Sequence, residues 1–258
     1  MNPWDNEVNK LSASELRKLT DKSAPINPRE AEPVKPSFKG ETAVLVATGP
    51  SLTDEQLTLV KEHHDAGNCR VFTINNVYQR VPWTDVHISC DAPWWRWYGE
   101  RSKELLALPC PKYTWYPELA DRFNIDYIKG INKPGLSTDP SVVHINHGSS
   151  PMCVNLALHY GIKRLLLIGH DMKYAADYNP KKRDHGSTPR HYFDEYPGTV
   201  QHWPSVKVGL SKPGVIDGLI ETYNNMVPQL KKLGMEVINC TPDSALTTFP
   251  MSTLEEEL

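Results

Sequence analysis

The stretch Thr42-Ala-Val-Leu-Val-Ala-Thr-Gly-Pro-Ser-Leu52 decides the fold. Its first half is almost continuously apolar and then meets Gly49, the pattern of a parallel strand that is buried on both faces and ends in a turn. Beyond the turn, Leu57 and Val60 have the spacing of an amphipathic helix. A strand that passes through a glycine turn into a helix is the opening unit of an α/β fold.

The same alternation continues along the chain. Further strands are predicted in residues 69–76, 85–91, 112–116, 125–131, 164–171 and 235–240. Helices are predicted in residues 94–108, 149–161 and 215–233, the last two each followed by a glycine or ending on one. Strands that alternate with helices at this spacing predict an α/β fold with a doubly wound, mostly parallel, Rossmann-like sheet.

Two segments do not fit the alternation. Residues 1–40 contain a proline-rich tether and are predicted to be an N-terminal arm, partly disordered or docked on a partner subunit of a homo-oligomer. Residues 41–258 form a single α/β nucleotide-binding domain in this prediction. Within it, residues 172–214 have no apolar period and follow the most apolar strand, so they are predicted to be a lid near the C-terminal half, over the carboxyl edge of the sheet.

Composition restricts the class of protein. The net charge of -3 provides no overall positive field for DNA, so a DNA-binding face would have to be local. The five cysteines are widely spaced and form no C-x-x-C pair, as expected of free thiols in a reducing compartment. No run approaches the ~18 apolar residues of a membrane span. We therefore expect a cytoplasmic protein.

The turn Gly49-Pro50-Ser51 is the first candidate site. A strand that leads through a glycine turn into a helix offers free backbone N–H groups and the positive end of the helix dipole to an anion such as phosphate. The alternative is an ordinary strand-to-helix turn with Ser51 as the helix cap. The pattern is neither G-x-G-x-x-G nor a Walker loop, so it does not indicate NAD or ATP.

Polar residues also end the next two strands. Asn75 and Asn76 offer amide donors and acceptors that could contact a base or ribose, although asparagine equally suits a turn. Asp91 could accept a ribose hydroxyl or bind a metal, or it could cap the following helix. Ser149 and Ser150 open a second helix that is predicted to point at the same edge, where they would bind phosphate or act as caps.

The lid and an aromatic cluster supply the remaining candidates. Lys173 and the lid cations Lys181, Lys182, Arg183 and Arg190 would neutralise charge on a leaving diphosphate. A lid histidine or carboxylate would act as general base, and no zinc-binding spacing is present. Trp94, Trp95 and Trp97 would stack on a base or pack against the sheet, and their spread around a helix predicts that at least one ring lies outside the core.

The motifs together resemble a known family. Residues 42–52 resemble the Gly-Pro-Ser opening of the bacterial sialyltransferases of glycosyltransferase family 42, and the VFTINNVY stretch (71–78) resembles their nucleotide-contacting strand. Residues 147–174 are similar to a serine-glycine helix, an apolar strand and a G-x-D motif, and HYFDEYPG (191–198) resembles the stretch with the general base. Similar patterns occur in archaeal-type 6-hydroxymethylpterin diphosphokinases and in tailed-phage proteins, which the chain looks most like.

This resemblance implies a set of site residues. Gly49, Pro50, Ser51, Asn75, Ser149 and Ser150 would surround a nucleotide, Asp171 would organise the site, and Tyr174 or Tyr178 would contact phosphate. Thr48 stands in place of the family's asparagine, so a cytidine preference is not implied. The family's base falls next to Tyr196, so His191 or Glu195 would take that role; His191 is favoured because its ordinary pKa is ~6.5.

The expected function follows from these residues. The leading hypothesis is a transferase that takes a nucleotide-activated sugar and moves the glycosyl group to a hydroxyl acceptor, such as a phage DNA base or a surface glycan, with no cofactor required. The first alternative is a diphosphokinase that needs Mg²⁺ on Asp91 or Asp171. The second is a non-catalytic nucleotide-binding protein of a bacteriophage, which would act in the host cytoplasm.

Overall fold

The computed structural model describes residues 30–145, 148–173 and 215–258. The first 29 residues of the predicted arm and most of the predicted lid, residues 174–214, lie outside this description. The described end of the arm lies against the domain. Val34 donates its backbone N–H to Pro140, Phe38 donates its own to Tyr160, and the side chain of Val34 is buried.

Nine strands are present among these residues: β1 Thr42–Val46, β2 Arg70–Ile74, β3 Val86–Ile88, β4 Lys112–Thr114, β5 Asp126–Tyr127, β6 Lys129–Ile131, β7 Val142–His144, β8 Arg164–Ile168 and β9 Glu236–Asn239. The main sheet has seven of them, all parallel, in the order β5-β4-β3-β2-β1-β8-β9. β6 and β7 form a separate parallel pair. The predicted doubly wound sheet is confirmed.

Helices connect the strands: α1 Asp54–Asp65, a 3-10 helix Asn75–Gln79, α2 Ala92–Arg101, α3 Lys103–Ala107, α4 Pro117–Phe123, α5 Ser149–His159, α6 Val215–Leu233 and α7 Leu254–Glu257. The sequence patterns predicted α1, α5, α6 and the α2–α3 region, but not β7, the 3-10 helix, α4 or α7. None of the helices in the described ranges is both long and apolar enough to cross a membrane.

β1 is buried on both faces, as its apolar run predicts. Ala43 and Leu45 belong to one core cluster, which includes Met152 of α5. Val44 and Val46 belong to the other, which includes Leu57 of α1. Because successive side chains of a strand point to opposite faces, helices must cover both sides of this sheet. The sheet is therefore the middle layer of the fold.

The strand order reverses beside β1. The chain first builds outward from β1 to β5, and it later returns to the other side of β1 with β8 and β9. Ligands of open α/β sheets bind outside the carboxyl ends of the strands at such a switch point. The loops that follow β1 and β8 begin at Ala47 and Gly169 and meet there, so this edge is the first place to look for a ligand site.

The aromatic cluster is a packing unit. Trp94, Trp95 and Trp97 are all at most 4% exposed, and they lie in a second core cluster with Leu105 and Leu119. The prediction that at least one ring lies outside the core was wrong, because α3 and α4 cover the sides of α2 that face away from the sheet. These three rings therefore stabilise the fold and do not offer a stacking surface.

Two helix caps also differ from expectation. α1 begins after Thr53, whose hydroxyl accepts the N–H of Gln56 while the Gln56 side chain accepts the N–H of Thr53. This reciprocal capping box starts the helix beyond Ser51, which is consequently not the cap. At α5 the cap position is Gly148, and neither of the following serines caps the helix. Their hydroxyl groups are free for other contacts.

Candidate functional site

The turn after β1 and the loop after β8 are joined by direct hydrogen bonds. Gly49 donates its N–H to the Gly169 carbonyl at 2.9 Å. Ser51 donates its hydroxyl to Oδ2 of Asp171 at 2.9 Å and its backbone N–H to the same oxygen at 3.4 Å. Pro50 is exposed beside them. The anion that contacts this turn is thus the protein's own carboxylate, whereas the sequence pattern predicted a phosphate.

The close approach explains the glycine at position 49. A Cβ atom built there would lie 1.9 Å from Oδ2 of Asp171 and 2.3 Å from the Gly169 carbonyl oxygen. The backbone φ of Gly49 is not in the left-handed region, unlike that of Gly169 at 70°. Glycine is therefore needed at position 49 because Asp171 and Gly169 lie too close for a side chain, and not because of the backbone conformation. Its missing side chain leaves room for the Asp171 carboxylate in the turn.

Asp171 is held in a largely buried position. It is 7% exposed, and burial raises the pKa of its carboxyl while the hydrogen bonds from Ser51 oppose that shift. Its backbone carbonyl accepts the N–H of Ala245 at 2.9 Å. The carboxylate of Asp171 thus bonds the turn after β1, and its backbone carbonyl bonds the loop after β9; its role as organiser of the site stays a prediction.

Of the residues that the sequence predicted after Asp171, Lys173 lies among those that the structure describes. Lys173 is exposed, and its ammonium group donates to the Asp243 carbonyl at 2.5 Å. That contact directs it toward the loop after β9, and its role with phosphate stays a prediction. Eight predicted site residues lie outside the described residues, namely Tyr174, Tyr178, Lys181, Lys182, Arg183, Arg190, His191 and Glu195.

A second group of polar side chains joins the ends of β2 and β3 to the start of α5. Asn75 directly follows β2, and its Oδ1 accepts the hydroxyls of Ser89 at 2.8 Å and Ser149 at 3.0 Å. The Ser149 hydroxyl in turn accepts the N–H of Cys90 at 2.9 Å. Asn75 has a φ of 48°, a conformation that asparagine tolerates better than most residues.

These bonds fix which way the Asn75 amide points. Ser89 is fully buried, and Oδ1 of Asn75 is the acceptor available to its hydroxyl. If the amide were reversed, this buried hydroxyl hydrogen would lose its acceptor, at a cost of about 1–3 kcal/mol. The amide nitrogen therefore faces away from both serines, and in the described part of the chain nothing accepts its two N–H groups. The site presents them as donors for an oxygen atom.

Asp91 lies at the end of β3 and borders this group. It occupies the cap position of α2, but its side chain makes no capping hydrogen bond, so the cap interpretation is wrong. The side chain remains accessible to solvent, although the surrounding protein removes enough water to raise the pKa of the carboxyl. The carboxylate accepts a hydrogen bond from the Cys90 thiol, and its exposed part is available to accept hydrogen bonds from a ligand.

Two of the predicted contacts are used inside the protein. Asn76 accepts Nε1–H of Trp94 at 2.7 Å and donates to the Tyr98 hydroxyl at 2.9 Å, so both halves of its amide serve the aromatic cluster. Ser150 is 5% exposed, and its hydroxyl is bonded to His170 and Tyr223. In their place the structure adds Ser89, whose only signal in the sequence is a polar residue at the end of an apolar strand.

The described residues show no metal centre. Within the ranges 30–145, 148–173 and 215–258, no group of three or more histidine, cysteine, aspartate or glutamate side chains is arranged to hold an ion. Asp91 and Asp171 each follow a different strand of the sheet. The Asn75 amide and the backbone N–H groups at the start of α5 are donors, which suit the oxygen atoms of an organic ligand.

Comparisons with known proteins bear on the fold. No protein-family model matches the sequence, and no curated protein matches it. Among solved structures, the chain is similar to the MAf glycosyltransferase from Magnetospirillum magneticum AMB-1, with a TM-score of 0.53 and 13% identity. The likeness covers 95% of this chain and 38% of that protein, so the chain spans well under half of its length. At this identity the two share an α/β fold.

Proposed function

We propose that the protein is a transferase that binds a nucleotide-activated sugar at the carboxyl edge of the sheet and moves the glycosyl group to a hydroxyl acceptor. The observation that carries the proposal is the fixed Asn75 amide, which presents two N–H donors that no described residue accepts, beside the N-terminus of α5. Donors at a helix N-terminus favour the phosphate, ribose and base oxygens of a nucleotide. A glycosyltransferase among the proteins of similar fold supports the same class.

Each part of the site has a role in this proposal. Asn75 donates to an oxygen of the nucleotide, and the first turn of α5 stabilises the diphosphate or phosphate through its N–H groups. Asp91 accepts a hydroxyl of the ribose or sugar. In the transfer step the bond from the anomeric carbon to the phosphate oxygen breaks, the acceptor oxygen bonds to that carbon, and the nucleotide leaves. The acceptor proton passes to the base, for which His191 and Glu195 are the candidates.

The test begins with binding. Wild-type protein would be titrated by calorimetry with CMP-, UDP-, GDP- and dTDP-sugars, and with ATP, each with and without Mg²⁺. A CMP-linked sialic acid belongs in this panel because the sequence motifs resemble sialyltransferases. We expect one sugar nucleotide to bind. If none binds, or if the protein with Mg²⁺ transfers the pyrophosphoryl group of ATP to the hydroxyl of an added hydroxymethylpterin and releases AMP, the proposal is wrong.

The variant Asn75→Asp makes the test specific to the site. Aspartate keeps an oxygen for Ser89 and Ser149 but has no N–H groups, so the support remains while the donors are lost. Loss of hydrogen bonds to a ligand oxygen should weaken binding about 10- to 100-fold. Asn124→Asp is a matched control, because Asn124 also has a left-handed φ, at 50°, but ends α4 on the surface. Equal binding by Asn75→Asp and wild type would remove Asn75 from the site.

A further inference from the structure

Three buried side chains form a hydrogen-bonded chain behind the candidate site. The Tyr223 hydroxyl lies 2.7 Å from the Ser150 hydroxyl, which lies 2.5 Å from Nε2 of His170. Tyr223 and His170 are fully buried, and Ser150 is 5% exposed. Buried polar groups of this kind are costly unless every donor and acceptor is matched, so their order of donation can be worked out.

The Ile168 carbonyl determines which group donates in each hydrogen bond of this chain. Nδ1 of His170 is 3.0 Å from the Ile168 carbonyl, which only accepts, so Nδ1 carries the proton. Burial lowers the pKa of His170 to about 4, so the ring is neutral near pH 7 and Nε2 is an acceptor. Ser150 must then donate to Nε2, and Tyr223 must donate to Ser150. In this arrangement each hydrogen has one acceptor.

This chain connects the elements that form the site. Ser150 belongs to the first turn of α5, His170 follows β8, and Tyr223 belongs to α6. His170 also donates its backbone N–H to Thr241 at 2.9 Å and accepts the Ser244 hydroxyl on its carbonyl at 2.5 Å. The loop after β9 is thereby tied to the same point.

The immediate neighbours of the chain lie at the ligand edge. Ser149, next to Ser150, holds Asn75 and the N–H of Cys90. Asp171, next to His170, holds the turn at Ser51. Ser149 and Asp171, which hold the loops at this edge, are thus each one residue away from a member of the buried chain. A shift of α5 against β8 would move Ser149 and Asp171 apart.

We propose that Ser150, His170 and Tyr223 are positioning residues that hold α5 and β8 in register, so that Ser149 and Asp171 keep the ligand-binding geometry. The inference rests on the proposed function for its ligand. It replaces a direct contact between Ser150 and the nucleotide, which the sequence motif implied. A serine beside a neutral histidine also resembles an activated nucleophile, but here the Tyr223 hydrogen occupies the hydroxyl oxygen and little of the residue is exposed.

The test compares two tyrosines that differ in place but not in chemistry. Tyr223→Phe removes only the hydroxyl that donates to Ser150. Tyr160→Phe is the matched control: Tyr160 is 5% exposed, its hydroxyl bonds that of Tyr113 at 3.0 Å, and it lies at the other end of α5. We expect Tyr223→Phe to weaken binding of the sugar nucleotide about tenfold, with Tyr160→Phe within about twofold of wild type at a temperature where both are folded.

The double variant separates positioning from contact. If Ser150 acts through the buried chain, Ser150→Ala, Tyr223→Phe and the double variant should weaken binding by about the same factor. If Tyr223→Phe binds as wild type while Ser150→Ala does not, Ser150 contacts the ligand directly and the inference is overturned. Covalent labelling of Ser150 by a fluorophosphonate would also overturn it, because a buried positioning hydroxyl should not react.

A second measurement keeps this inference separate from the proposed function. If wild-type protein binds no sugar nucleotide, the proposed function fails, and the buried chain is then examined by amide hydrogen exchange. Tyr223→Phe should speed exchange in residues 148–153 and 169–173, whereas Tyr160→Phe should not. Unchanged exchange at both segments would show that the chain does not hold these loops.

Discussion

Substituting Gly49 by alanine tests the contact between the two loops most directly. The new Cβ would lie 1.9 Å from Oδ2 of Asp171 and 2.3 Å from the Gly169 carbonyl oxygen, whereas ordinary contacts of a Cβ begin at 3.4 Å. The carboxylate would have to retreat by about 1.5 Å and the carbonyl by about 1.1 Å, the differences between those distances. The Gly169 carbonyl is itself held by the Gly49 N–H at 2.9 Å, so it cannot move alone.

The size of the effect follows from two losses. Overpacking of a close contact costs about 1–3 kcal/mol. Displacement of Asp171 also breaks its bonds from Ser51, and a hydrogen bond to a charged group contributes about 1.5–3 kcal/mol. Because both losses arise from one movement, we expect about 3 kcal/mol of lost unfolding free energy, with a fall in Tm of about 6–12 °C. Nucleotide binding should be lost as well, since the turn borders the switch point.

Urea denaturation of matched variants measures this. Gly67→Ala is the control, because Gly67 has a φ of 76° but nothing within 4 Å of its Cβ position, so the cost there is conformational and about 1 kcal/mol. In Gly49→Ala/Asp171→Gly the 1.9 Å contact disappears, so the double variant should lose less stability than the sum of the singles. A Gly49→Ala protein within 0.5 kcal/mol of wild type, a margin of about the experimental error, would refute the proximity argument.

Two further predictions concern histidines. His87 and His170 are fully buried, and burial lowers the pKa of His87 to about 3 and that of His170 to about 4. Below pH ~6.5 the unfolded chain binds a proton on each of these histidines, whereas the folded chain does not. The free energy of unfolding should therefore fall as the pH drops from there toward 4, by about 1.4 kcal/mol per pH unit and per histidine. In His87→Gln the free energy of unfolding should depend less steeply on pH than in wild type, and equal slopes would contradict this. If His191 is the base, His191→Ala should lower turnover about 10²–10⁴-fold with little change in donor affinity, whereas an effect only in Glu195→Ala would assign the base to the carboxylate.

The sheet was predictable because its signals are local. The apolar run at Thr42–Val46 and the one at Arg164–Ile168 read as buried strands, and both lie next to each other in the sheet. What joins them is not local: Ser51 and Asp171 are 120 positions apart, and no pattern in either segment announces the bond between them. The turn thus looked like an empty anion site, although its hydroxyl already has a carboxylate partner.

The sequence also does not predict which of two identical neighbouring residues faces the edge of the sheet. Asn75 and Asn76 have the same side chain, and so do Ser149 and Ser150, yet one member of each pair lies at the carboxyl edge of the sheet and the other is bonded inside the protein. Successive residues of a helix point about 100° apart, so two neighbours cannot both face one edge. Which one does is decided by the rotation of the helix against the sheet. That rotation depends on tertiary packing, which a short motif does not encode.

The described side chains at the carboxyl edge of the sheet include more negative than positive charge. Asp91 and Asp171 place two carboxylates at the carboxyl edge of the sheet, whereas a nucleotide is an anion, so a nucleotide site at this edge would need positive potential from other groups. The first turn of α5 provides part of it through the helix dipole. Lys173 is directed to the Asp243 carbonyl. The basic run Lys181-Lys182-Arg183 in the sequence is a further candidate source of cations. If the proposed function is correct, neutralising that run should raise the dissociation constant of the sugar nucleotide and flatten its dependence on salt.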